Sequence, residues 1–311
     1  MKSHNMNIAK QNMLMTTELI KVMKLLEENN IEAISFKGPV LSQMAYGDIT
    51  LRQYVDLDIL IEEKELDKAI KSLSKNSYTF DKQEYQNKLK HKSIFHDISL
   101  YKNNISVELH WRLFSDEFKT NIENINIKEN LSEVQISNYK FKSFKKELLV
   151  LYLAIHGAKH NWERIEWLLD IVKIIQTHQI DWQELIKIIE ITRTEKILFS
   201  TLYLCQSILD LEIPKEVQDK INNPKILKLS KEFESLFFND FKQQIEQNIN
   251  TKNISNIQYK LLNGYKNKFA FILSLFKPTE LDFKAVKPGK YASTMHYFVR
   301  PINIIKRWSK K

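Results

Sequence analysis

A chain of 311 residues with 43% apolar and 27% charged side chains, and only 5 Gly and 6 Pro, has the make-up of a folded protein with one large or two ordinary cores, which excludes collagen-like and low-complexity readings. Its formal charge of +9 suits an anionic partner such as a nucleotide or RNA. The lysines are spread along the chain instead of forming a block, however, so charge alone establishes no RNA binding.

The single cysteine, Cys205, can form no internal disulfide and lies in an apolar stretch that suggests a packing role. Met1–Lys24 has no secretory signal pattern, and no apolar run is long enough to span a bilayer, so the expectation is a cytoplasmic protein with no membrane partner.

In chain order, residues 8–29 carry Met15, Leu19, Val22, Met23 and Leu26 at helical spacing. Ile31–Phe36 reads as a short strand ended by Lys37-Gly38-Pro39, and a short helix follows over Val40–Tyr46. Val55–Ile61 alternates strictly, with Val55, Leu57, Ile59 and Ile61 on one face and Asp56 and Asp58 on the other.

Glu63–Ser74 reads as an amphipathic helix, and Ser77–Phe80 as a short strand. Ser93–Leu100 and Ile105–Trp111 form a hairpin around Tyr101-Lys102-Asn103-Asn104. On its second strand Ser106, Glu108 and His110 share a face. From about Lys145 the pattern turns helical: 146–159, 163–178, 181–191, 194–210 and beyond. The fold class expected is α+β: a small mixed sheet with flanking helices over residues 1–143, then a mainly helical domain over 144–311.

Asp56 and Asp58 offer two hard oxygen ligands side by side, which octahedral magnesium accepts. Strand interiors disfavour aspartate, so two within Val-Asp-Leu-Asp-Ile-Leu-Ile call for an explanation. Glu108, from a neighbouring strand, is well placed as a third carboxylate; Asp97 is a weaker candidate. Such a trio suits phosphoryl transfer, in which two metal ions about 4 Å apart hold attacking and leaving oxygens. Gly38 would let backbone amides approach a phosphate, with Lys37 adding charge. Arg52 would either clamp phosphate or pair with an aspartate. His110 reads as a supporting hydrogen-bond partner, whereas His91 and His96 show no pattern.

Ser-Phe-Lys-Gly-Pro-x-Leu, Arg52, Val-Asp-Leu-Asp-Ile-Leu-Ile and Val-Glu-Leu-His-Trp-Arg together resemble the polymerase β-type nucleotidyltransferase superfamily. In closer detail they resemble a bacterial family of uncharacterised nucleotidyltransferases, and more distantly the abortive-infection toxin nucleotidyltransferases. The resemblance implies that Gly38 lies in a phosphate-binding turn, that Asp56 and Asp58 are ligands to Mg2+ (two ions), and that Glu108 helps deprotonate the acceptor. It implies a nucleoside triphosphate substrate and a small-molecule, sugar or peptide acceptor.

The alternatives are an RNA 3′ end as acceptor, a nucleotide-binding protein without catalysis, and a helical interaction protein. No serine follows Gly38, and Glu108 stands where the closer family usually has Asp. The resemblance continues through His156, His160, Trp162, Arg164, Trp167 and Asp170, which implies either a helix lining the nucleotide cleft, with Arg164 or Lys159 near phosphate, or one docked through Trp167 and an Arg–Asp pair. It extends to Lys277–Asp282 and Tyr297–Pro301.

Overall fold

The computed structural model describes residues 2–92, 95–115, 120–245 and 258–275; the two C-terminal segments of the resemblance lie outside them. Helix α1 (Lys2–Glu28) buries Met15, Leu19, Val22, Met23 and Leu26 along one stripe, as its spacing demands. Strand β1 (Ala33–Ser35) leads into α2 (Gly38–Tyr46), and β2 (Asp56–Ile61) into α3 (Leu66–Lys75). The helix α4 (Lys82–Lys90), capped by Asp81, precedes β3 (Asp97–Lys102) and β4 (Ile105–His110).

The sheet has the order β1-β2-β4-β3, with β2 and β4 parallel and the outer strands antiparallel to their neighbours. Leu57, Ile59, Ile98, Leu100, Val107 and Leu109 are buried on one face. Register partners share a face. The opposite face therefore gathers Asp56 beside Ser106, Asp58 beside Glu108, and His110 beside Asp97.

Three local expectations need correction. Val55 is 70% exposed and precedes the strand. Ser77–Phe80 contributes only the bridge between Thr79 and Tyr101. The hairpin turn is narrower than its sequence suggested: Tyr101 and Lys102 stay in β3, and Asn103 and Asn104 alone turn, at φ 50° and 62°. Both asparagines tolerate that left-handed backbone, as a two-residue hairpin requires.

The sequence expectations place no element at α4 or at the hairpin β5 (Leu131–Ile136) and β6 (Tyr139–Phe144). Helix α4 buries only Lys88, and without an apolar stripe it has no readable period.

The helical part comprises α5 (Lys146–Lys159), α6 (Ile165–Thr177), α7 (Trp182–Thr192), α8 (Glu195–Leu209), α9 (Lys215–Ile221), α10 (Pro224–Ile245) and α11 (Tyr265–Leu275). Helix α5 is buried on nearly every side from Glu147 to Ile155, which makes it the central helix, packed against α6, α7 and α8. Cys205 on α8 is buried, as expected. No helix among the described residues is long and apolar enough to cross a membrane.

Candidate active site

The polar face of the sheet converges on Asp58. Its carboxylate is fully buried, and Oδ1 accepts from Lys37 Nζ at 3.1 Å and lies 3.1 Å from His110 Nε2. The same ring nitrogen is 3.6 Å from Glu108 Oε2. Oδ2 of Asp58 is buried and has no hydrogen-bond partner among the described residues. An orphaned carboxylate oxygen is costly unless something positive completes it.

The electrostatics follow from this crowding. Burial alone would raise the Asp58 carboxyl, but Lys37 and His110 outweigh it and hold the group ionised, below its ordinary range. Burial likewise opposes charge on Lys37, yet Asp58, Tyr152 and Asp56 raise it. Asp56 is pushed up to about 6 by burial and by Asp58, with Glu108 adding to the effect. His110 rises to about 9 because its hydrogen bonds to Asp58 and Glu108 overcome the penalty of burial. The cluster thus holds three carboxylates answered by one lysine and one histidine.

Lys37 is aimed by the turn between β1 and α2. Gly38 sits at φ +52°, and a Cβ there would lie 3.2 Å from the Asp56 carbonyl oxygen. The missing side chain therefore lets α2 start hard against the backbone of β2, which carries Lys37 across to Asp58. On the far side α5 contributes Tyr152, whose ring lies 5.7 Å from Lys37 Nζ and stacks on Phe114.

Residues 1–210 match the family described as uncharacterised nucleotidyltransferase. The chain belongs to that family. It is therefore a nucleotidyltransferase enzyme, one whose substrate class includes a nucleoside triphosphate. No curated protein matches it.

Within this nucleotidyltransferase the remaining sequence-predicted residues separate into two groups. Lys37, Gly38, Asp56, Asp58 and Glu108 come together, as described. Lys159 ends α5; burial depresses His96 and His160, and the charge of Lys159 adds to that effect.

Arg52 takes the ion-pair alternative: its Nε reaches both oxygens of Asp170 at 3.0 and 2.9 Å, and Tyr46 donates to the same carboxylate at 2.9 Å. Arg164 is therefore not the partner of Asp170. It stands at the N-terminal boundary of α6, its side chain 56% exposed, 3.7 Å from Glu166 and over the ring of Trp167. Trp162 is core: it is buried and presses on Gly157 and Phe233.

Two participants carried no usable sequence signal. His96 ends beside His110, with ring centroids 5.6 Å apart. Tyr152 sits in an apolar helical run and reads there as core. Among the described residues, two trios have ligand atoms close enough to hold a metal ion: Asp58, Glu108 and His110, and His96, Asp97 and His110.

Proposed function

We propose that the protein transfers a nucleoside monophosphate from a nucleoside triphosphate to a hydroxyl or phosphate of a small-molecule, sugar or peptide acceptor, with Asp56, Asp58 and Glu108 as metal ligands. One observation carries this reading. Three carboxylates share one face of β2 and β4, with Asp58 and Glu108 register partners and Oδ2 of Asp58 buried without a partner among the described residues. The donor set consists of hard oxygens, which suits magnesium. When bound, the two ions would neutralise charge developing on the triphosphate.

The chain's own groups divide the remaining work. The acceptor oxygen attacks the α-phosphorus, the bond to the bridging oxygen breaks, and pyrophosphate leaves with the electron pair. For a hydroxyl acceptor, Glu108, with 29% of its side chain exposed, takes the proton. The charge of Lys37 favours bound phosphate at the start of α2, and its bond to Asp58 keeps that carboxylate ionised. His110 fixes Oδ1 of Asp58, so Oδ2 keeps one direction. Lys159 adds positive charge from α5.

Transfer of label from radioactive nucleoside triphosphates, with magnesium present, tests this. Asp56→Ala and Asp58→Ala should each lose at least about 100-fold in turnover; wild-type turnover in both would overturn the reading. The acceptor class is read from salt dependence. A small acceptor predicts binding that changes little between low and moderate salt, whereas an RNA 3′ end predicts a steep loss.

A further inference from the structure

His110 has two ring nitrogens, and the transfer chemistry proposed above uses only Nε2, which faces Asp58 and Glu108. Its Nδ1 is buried and has no hydrogen-bond partner among the described residues. Around this ring lie two further ligand types. Asp97 is the register partner of His110 on β3, and His96 precedes it, its carbonyl accepting from the Trp111 amide at 3.0 Å. One ligand atom from each of His96, Asp97 and His110 lies within 4.8 Å of the other two.

The geometry points to a second metal site, for a zinc-class divalent ion held by His96, Asp97 and Nδ1 of His110. Four observations support it. Two imidazoles and one carboxylate are a donor set for zinc, cobalt or manganese, whereas magnesium prefers oxygen alone. A histidine that binds metal through one nitrogen commonly donates its other N–H to a carboxylate, and His110 Nε2 stands 3.1 Å from Asp58 Oδ1. Lys88 holds Oδ1 of Asp97 at 3.1 Å, which leaves Oδ2, 3.3 Å from His96 Nε2, turned toward the cluster. The side chains of His96 and Asp97 are 19% and 21% exposed, so an ion can enter from solvent.

An ion there would take the place of a proton on Nδ1 and fix His110 as an Nε2–H donor toward Asp58. It would thereby link a transition metal to the carboxylate at the centre of the sheet. The site stands whether or not the transfer chemistry proves correct, because metal binding alone tests it.

The full chain is stripped with a chelator and titrated with Co2+, read by its visible absorption, and with Zn2+ by calorimetry, both in excess magnesium. One equivalent should bind. His96→Ala, with His96→Gln as a second variant should the first fold poorly, should weaken binding more than about tenfold. Asp56→Asn, on the neighbouring strand, should leave it unchanged within about twofold. No stoichiometric binding would overturn the proposal, as would wild-type affinity in a folded His96 variant. Equal loss in Asp56→Asn would overturn it too, because the ion would then sit on the sheet carboxylates.

Discussion

Arg52 and Asp170 stand 118 residues apart in the chain, yet the Arg52 Nε lies 2.9 Å from an Asp170 carboxylate oxygen whose side chain is fully buried. The pair ties the loop before β2 to the middle of α6, with Tyr46 of α2 as third member. Arg52→Ala leaves that carboxylate in the interior without its cation. Urea denaturation should show a loss of about 3–5 kcal/mol, and the paired replacement Arg52→Met with Asp170→Leu should recover most of it. A loss below about 1 kcal/mol for the single variant would show the pair to be as weak as a surface ion pair.

Asp56 stands where function and stability conflict. It shares the sheet face with Asp58 and Glu108, and burial together with those neighbours disfavours its charge. Asp56→Asn removes that conflict in the metal-free protein. Thermal or chemical unfolding without magnesium should show a gain of about 1 kcal/mol, while transfer activity falls. A destabilised Asp56→Asn protein would contradict this account of the cluster.

Gly38 should tolerate no side chain. At φ +52°, with the Asp56 carbonyl oxygen 3.2 Å from the position of a Cβ, alanine meets both left-handed strain and a backbone contact that must give. The cost expected for Gly38→Ala is about 1–2 kcal/mol from the backbone alone. Gly47, also at positive φ but with open space around it, is the control. Gly47→Ala should cost no more than Gly38→Ala in the same denaturation series.

The helix from Gly157 to the turn at Trp162 offers a packing test. A Cβ on Gly157 would fall 2.6 Å from the Trp162 ring, itself 1% exposed. Gly157→Ala should therefore lower stability by about 1–3 kcal/mol through overpacking. A crystal structure of the variant should show the indole displaced.

Acid should weaken the fold through His160. Burial depresses its pKa to about 4, with Lys159 and Lys37 adding to the effect, so the folded chain binds this proton later than the unfolded chain. The stabilisation is complete above roughly pH 6.5 and is lost as pH falls toward 4, with a limiting slope of about 1.4 kcal/mol per pH unit. Chemical denaturation at several pH values should show a shallower decline in His160→Gln than in the parent chain.

Much of this was readable in the sequence, and what was not has a physical cause. The alternation around Asp56 and Asp58, the match of Gly38 to a tight strand-to-helix turn, the apolar stripe of α1 and the apolar runs of α5 and α8 each depend on residues within a few positions. Local geometry alone sets which side chains share a face, so these could be read directly. Helix α4 has no apolar stripe and was not legible, whereas the β5–β6 hairpin does alternate, with buried Val134, Ile136 and Phe141 among exposed Glu133, Gln135, Lys140 and Lys142, yet the sequence expectations place no strand there.

Partners across the chain were decided by packing. Arg52 found Asp170 while Arg164 turned to Glu166. His96, unremarkable in sequence, reached His110 because β3 pairs antiparallel to β4. Tyr152, one apolar-run residue among many, came to border Lys37 because its ring packs against Phe36, Phe114 and Phe144. The amino-acid order determined which groups stand together on a strand or helix. Only the tertiary fold decided which charges meet out of water, because that depends on burial and on distances the chain closes only when its core packs.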